Sequence, residues 1–301
     1  MSLPLIGLIV FVILFLLSFP LQYQLWLKLF FYPPKRFRLI ENINPGSFKI
    51  PFEPFEVNSA DGTIIRGWFI KSKDNQSRKT ILVCHGVTSS RYFHLPRSIY
   101  FYYLGYNLCL FDLRAHGHSE GNHVTFGFKE QEDMDAVVQY IRNRKDLGSQ
   151  KICLVAHSMG AATGVLYAAK HPHIFDAIVL LSCYAQFEKD LEYWVPHIAR
   201  LPKYPFVAVA KMLFRQGIGV ADFKTIDPIE YIDLIHSPIF FVHGQKDVYT
   251  SPRSSEQLFA KANEPKQLWL IPKASHEDLY EVAGREWERR IAEFLKKNFA
   301  L

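Results

Sequence analysis

The chain has 301 residues, 49% of them hydrophobic and 15% aromatic, which fills a core and excludes a disordered or low-complexity protein. Its net charge of +6 is modest, and the Lys and Arg residues are interspersed with acids without forming a basic stripe among aromatics, so no nucleic-acid partner is expected. Cys84, Cys109, Cys153 and Cys183 each sit in an apolar run. They lack metal-ligand spacing and a disulfide framework, and read as small buried hydrophobes in a reducing compartment.

Residues 3–19 carry no charge, and 21–31 continue mostly apolar. As a helix this run is long enough to cross a hydrocarbon core of about 30 Å. It lacks the cationic start and the small-residue cleavage site of a signal peptide, so it reads as an uncleaved transmembrane anchor over residues 1–32. Tyr23, Trp26, Phe30, Phe31 and Tyr32 suit an interfacial aromatic belt. Lys28, Lys35, Arg36 and Arg38 all follow the run and none precedes it. The positive-inside rule then puts the amino terminus outside and the rest of this single-pass protein in the cytoplasm. Tyr32-Pro33-Pro34 ends any helix and opens a linker over 33–47.

Two strand-like runs, 48–58 and 63–71, meet at Ser59-Ala60-Asp61-Gly62, a hairpin signal. A short strand over 80–84 leads into His85-Gly86-Val87, followed by an aromatic-rich helix over 92–104 and a strand over 106–111. Met134, Val137, Val138 and Ile141 give 129–145 a helical apolar stripe. The stretch 151–170 reads as a buried strand, the tight turn Ala156-His157-Ser158-Met159-Gly160, and a helix with small residues where it lies against a sheet. A strand over 177–181 follows. The apolar insertion 184–223, broken by Pro196, Pro202 and Pro205, reads as a cap. Asp227-Pro228 looks like a helix start. Strands over 238–243 and 267–271 flank a helix over 252–262, and a closing helix spans 279–298. This alternation predicts one domain, 48–301, with a mainly parallel sheet and helices on both faces. Its active loops lie at the carboxyl ends of the strands.

Three of those loops carry complementary chemistry. Ser158 alone could be an N-cap as readily as a nucleophile. Asp247 follows the strand ending at His243, and His276 follows the strand ending at Ile271. Acyl transfer needs this set: a hydroxyl to attack, an imidazole to take its proton, and a carboxylate to orient the imidazole. The Val87 and Met159 amides are the candidate donors to a tetrahedral oxyanion. Asp222 and Asp227 are weaker acids for the role, since both precede the strand. His116, His118 and His123 cluster without a carboxylate or cysteine at ligand spacing, so no metal is expected. His85 reads as shaping its loop through hydrogen bonds and His157 as structural or a pocket wall, while Asp112 and Arg114 brace their loop against Asp133 or Asp135.

HGVTSS, FDLRAHGHSEG, AHSMG, HGQKDVYTSP and ASHEDLY occur in the order found in the α/β-hydrolase superfamily, which the chain resembles from about residue 48 onward. The cap and the amino-terminal run are similar to those of membrane-anchored serine-peptidase-like (S33) and lysophospholipase-type hydrolases. The elbow departs from G-x-S-x-G at Ala156, where a single extra methyl is expected to be tolerated. The resemblance implies a serine hydrolase that cleaves a lipophilic carboxylic ester or thioester through an acyl-enzyme, without a cofactor. Ser158, Asp247 and His276 would be its triad. A serine aminopeptidase or amidase, or a non-catalytic membrane-bound binding module, are the alternatives; Ser158 excludes an aspartate nucleophile. The oligomeric state stays open.

Overall fold

The computed structural model describes residues 31, 42–73, 76–148 and 150–299. The expected anchor, Phe31 excepted, and the first part of the linker lie outside the described residues. Among the described residues no helix is long and apolar enough to cross a membrane.

The Asp61-Gly62 signal produces a hairpin. Strands β1 (Glu53–Asn58) and β2 (Ile64–Ile70) pair antiparallel with Asn58 opposite Ile64. Gly62 takes φ +84°, which a side chain would resist, and Asp61 Oδ1 accepts the Thr63 N–H. Residues 48–52, expected to extend β1, do not: Pro45–Phe48 forms a 3-10 turn capped by Asn44. The remaining strands, β3 (Lys79–Cys84), β4 (Asn107–Phe111), β5 (Lys151–His157), β6 (Ala177–Leu181), β7 (Ile239–Gly244) and β8 (Lys266–Ile271), run parallel to one another. The sheet order is β1-β2-β4-β3-β5-β6-β7-β8.

The helices are α1 (Arg91–Tyr103), α2 (Glu130–Arg142), α3 (Met159–Lys170), α4 (Phe187–His197), α5 (Lys203–Ile218), α6 (Pro252–Lys261), α7 (Leu279–Ala283) and α8 (Arg285–Asn298). Parallel strands covered on both sides must be apolar on both faces. Along β3, Ile81 and Val83 enter one core with Leu95 of α1 and Phe294 of α8, while Leu82 and Cys84 enter the other with Val137 of α2 and Val165 of α3. The close approach of α3 explains its small residues: a Cβ at Gly164 would overlap the Leu154 side chain.

The single closing helix expected over 279–298 is two. Gly284 adopts φ +53°, a conformation no right-handed helix continues through, and separates α7 from α8. The helix expected at Asp227-Pro228 shrinks to the 3-10 turn Pro228–Glu230, because the Asp227 carboxylate accepts the Phe187 N–H at 2.7 Å in place of capping. The insertion 184–223 is indeed apolar and resolves into the hairpin of α4 and α5. Its inner face buries Phe187, Leu191, Val195, Val207, Leu213, Phe214 and Ile218. Phe31 is fully buried against this cap: its ring meets Phe214, Phe126 and His123 edge-on, and its carbonyl accepts the Val124 N–H at 2.9 Å. Gly217 of α5 makes room, since any Cβ there would overlap the Phe31 ring.

Candidate active site

β5 delivers the chain to Ser158, and α3 leaves from it. Ser158 holds φ +52° and ψ −120°, and its side chain makes no cap hydrogen bond. That conformation is strained for a residue with a Cβ. It persists because both sides are fixed: the Ser158 N–H donates to Leu181 O at 2.8 Å, and its carbonyl accepts the Ala162 N–H at 3.1 Å. Gly160 is required by contact, since a Cβ there would strike the His85 carbonyl and lie 2.9 Å from Cys84 O. Ala156 sits fully buried in the sheet between Cys84 and Leu180, so its methyl replaces the usual first glycine without displacing the turn.

The three residues expected from different loops converge. His276 Nε2 lies 2.9 Å from Ser158 Oγ, and His276 Nδ1 lies 2.6 Å from Asp247 Oδ2. Asp247 Oδ1 accepts the amides of Tyr249 at 2.9 Å and Thr250 at 2.8 Å. Burial alone would raise the Asp247 carboxyl, but hydrogen bonds from His243 and His276 outweigh it and hold the group well below the usual carboxylate range. An ionised carboxylate only accepts, so it keeps the His276 proton on Nδ1 and leaves Nε2 to accept from the serine. His243 is legible in the sequence only as a strand end. In the fold its Nε2 stands 3.1 Å from Asp247 Oδ2 and 3.0 Å from Thr250 O, with Nδ1 2.7 Å from Ser255 Oγ. Asp247 therefore has two imidazoles on one oxygen.

Gly86 brings the loop carrying Val87 against the serine: a Cβ at Gly86 would lie 2.9 Å from Ser158 Cβ. Two neutral histidines fix that loop. His85 Nε2 accepts the Leu113 N–H at 3.0 Å, and His116 Nε2 accepts the Thr88 N–H at 3.2 Å while its Nδ1 donates to Arg114 O. Burial lowers both imidazoles to about 4. They brace the site, as expected for His85, and His116 does the same. Asp112, fully buried, pairs with Arg91 at 3.1 Å and accepts the Arg91 and His118 amides. Arg114 instead reaches Asp133, Asp61 Oδ2 and Ser59 Oγ, while Asp135 accepts from Tyr167. His157 is structural: its Nε2 donates to the His276 carbonyl at 2.9 Å, and burial, then the nearby His276, lower it to about 3. Met159 opens α3, so its amide belongs to the free N–H groups of a helix start.

Over the acid loop lies the cap, which sequence reasoning placed without its contacts. Trp194 Nε1 of α4 donates to the Tyr249 carbonyl, and the Tyr249 ring stands edge-on to His276 with centroids 5.6 Å apart. A cleft with about 480 Å³ of empty space, open to solvent, touches His276, His157, His94, Arg97, Glu277 and Tyr280. A hydroxyl, an imidazole and a buried carboxylate in this line can pass a proton away from the hydroxyl as it attacks a carbonyl carbon.

These elements recur in known proteins. The family model described as alpha/beta hydrolase fold matches residues 79–206, and one described as PhoPQ-activated pathogenicity-related protein matches 169–297. The uncharacterized protein YqkD of Bacillus subtilis (strain 168) is 31% identical over 265 residues, covering 86% of this chain and 82% of YqkD. WAV2 of Arabidopsis thaliana, an alpha/beta hydrolase domain-containing protein, is 24% identical, with 85% and 82% covered. The solved structure of the Pyrococcus furiosus esterase Pf2001 is similar with a TM-score of 0.75 and 26% identity, over 89% of this chain and 98% of that one. On strand order, elbow and extent of similarity together, the chain belongs to the α/β-hydrolase fold family.

Proposed function

We propose that the protein is a serine hydrolase acting on a lipophilic carboxylic ester or thioester. The observation that carries the reading is the unbroken line from Asp247 Oδ2 through His276 to Ser158 Oγ, at 2.6 and 2.9 Å. Ser158 Oγ attacks the substrate carbonyl carbon while its proton passes to His276 Nε2. The Val87 and Met159 amides receive the oxyanion. Collapse expels the alcohol or thiol, which takes the proton back from His276. Water, deprotonated by the same imidazole, then adds to the acyl carbon and releases the acid and free Ser158. No step needs a metal or cofactor.

Esters are favoured over amides by the likeness to an esterase, and lipophilic ones by the apolar cap. The apolar run preceding Phe31 acts as a membrane anchor, with the catalytic domain on the cytoplasmic side; Phe31 itself, buried in the domain, takes no part in an interfacial belt. Fluorophosphonate labelling of the whole chain tests the chemistry: Ser158→Ala abolishes it, and labelling that survives the substitution refutes the assignment. A panel of acyl esters, thioesters and aminoacyl amides graded by chain length then ranks the substrate class, and preference for the amides would overturn the ester reading. Protease added to sealed right-side-out cells should leave the domain intact; digestion refutes the orientation.

A further inference from the structure

The tip of the cap is built unlike the rest of the surface. Residues 197–205, from the last residue of α4 to the first turn of α5, are all exposed. They read His-Ile-Ala-Arg-Leu-Pro-Lys-Tyr-Pro. Tyr204 is 86% exposed, Ile198 43% and Leu201 39%. An isolated exposed leucine needs no explanation, but three large apolar side chains within seven residues do. From Tyr193 to Ala221 the chain has no Asp or Glu, while it has Arg200, Lys203, Lys211 and Arg215. Lys211 is neutralised by Glu188 and Glu192 at 2.8 Å each, and Arg215 stands 4.0 Å from Glu188. Arg200 and Lys203 have no carboxylate partner among the described residues.

The outer face of α5 continues the pattern. Ala208, Met212 and Arg215 are all exposed, and their spacing of four and three places them in one stripe along the helix, which the extended backbone of Tyr204 (φ −106°, ψ 134°) joins to the tip. At the far end of α5, Gly217 and Phe214 hold Phe31. Phe31 closes an apolar run that begins at the start of the chain. From residue 205 to residue 217 the helix advances about 18 Å. A bilayer that takes up the run ending at Phe31 therefore meets one end of α5, and the cationic apolar tip is at the other.

We infer that the α4–α5 hairpin is a membrane-contact surface: α5 lies along an anionic phospholipid bilayer, its tip dipping Ile198, Leu201 and Tyr204 into the interface while Arg200 and Lys203 meet lipid phosphates. Apolar side chains flanked by cations that have no carboxylate partner among the described residues are the pairing an anionic interface selects. A protein partner of acidic character would satisfy the cations but leave the Ile-Leu-Tyr-Pro tip without a reason to be free of acids over such a length. The consequence for the site is direct. Trp194 of α4 holds the Tyr249 carbonyl beside His276, so the helix that ends at the membrane tip also shapes the wall of the catalytic centre. Substrate would pass from the lipid phase along the cap.

The test uses the whole chain reconstituted into nanodiscs of neutral lipid, with or without a quarter of anionic lipid. All four native cysteines are buried, so Tyr204→Cys can carry a single environment-sensitive fluorophore. Tyr103→Cys, at the end of α1 remote from the strand carboxyl ends and 67% exposed, serves as control. Quenching by spin-labelled lipid should be several-fold stronger at 204 than at 103 and should deepen with anionic lipid. Equal quenching at both sites overturns the proposal, and quenching indifferent to lipid charge overturns its anionic part. A second readout rests on the hydrolase reading above. The double substitution Leu201→Asp with Tyr204→Asp should lower the ratio of hydrolysis of a bilayer-embedded ester to that of a water-soluble short-chain ester at least tenfold. An unchanged ratio counts against the proposal. Wild-type protein that hydrolyses neither ester refutes the hydrolase reading and leaves the quenching result standing.

Discussion

Asp247→Asn separates the charge of the acid from its shape. Asp247 Oδ1 accepts two amides, from Tyr249 and Thr250, whereas Oδ2 faces His276 Nδ1 and His243 Nε2. An asparagine can place its carbonyl at only one of these positions. Turning its NH2 toward the two amides would leave two buried donors unpaired, at about 1–3 kcal/mol each. The carbonyl therefore stays with the amides and the NH2 faces the imidazoles. His243 tolerates this, because its Nε2–H retains Thr250 O at 3.0 Å. His276 does not: facing a donor, its Nδ1 gives up its proton and Nε2 takes one, so it can no longer accept from Ser158. The expected fall in kcat/KM on a short-chain ester is about 10⁴-fold, or about 5 kcal/mol of transition-state stabilisation. Stopped-flow ester hydrolysis with circular dichroism to verify the fold is the assay. A loss below about 30-fold in a folded variant would refute the tautomer argument, which calls for the full effect.

His116→Gln tests the neutral brace. The folded imidazole titrates at about 4 against an ordinary value near 6.5. The unfolded chain thus protonates first as pH drops, so the stability His116 contributes is present above about pH 6.5 and is lost toward pH 4. Between pH 8 and pH 5 that loss is about 2 kcal/mol. In urea titrations the variant should lose about 2 kcal/mol less over this interval than wild type does; an identical pH dependence would show that the ring is not held neutral. Gly160→Ala forces a methyl onto the His85 carbonyl, and should cost about 2–3 kcal/mol and depress activity by displacing Ser158; wild-type stability and rate together would contradict the packing. Ala156→Gly restores the usual elbow glycine but removes a buried methyl from a strand, so about 1 kcal/mol of stability should go while kcat/KM stays within about threefold. A large rise in rate would mean that the alanine strains the nucleophile.

The fold was legible wherever local pattern and tertiary need coincide. Runs such as Ile152–Val155 are apolar on both faces because helices cover both faces, and Gly160 and Gly164 announce a helix pressed onto strands. The meeting of Ser158, Asp247 and His276 was legible because strand ends are where parallel sheets present loops, and each loop carried one suitable group. Misreadings arose where a distant partner claimed a residue. Asp227 has the local form of an N-cap, yet its carboxylate serves Phe187, forty positions earlier. Gly284 interrupts an amphipathic stretch whose side chains alone suit a continuous helix. The second imidazole on Asp247 lay outside reach because a histidine ending a strand reveals nothing of where its ring turns. The hold of Trp194 on the Tyr249 carbonyl needed the cap's placement, which apolar content alone does not supply.

Arg114 bears on where the functional unit begins. Its guanidinium joins Asp61 and Ser59 at the β1–β2 turn to Asp133 on α2, and Arg91 beside it donates to the Arg66 carbonyl on β2. The alpha/beta hydrolase match starts only at residue 79, yet a fragment cut there would strip two buried cations of some of their partners and expose one edge of β4. The amino-terminal hairpin is thus part of the catalytic machine's frame. During synthesis it leaves the ribosome before the loop bearing Arg114 and stays unlatched until that loop follows, so the edge of the sheet is fastened by residues made later.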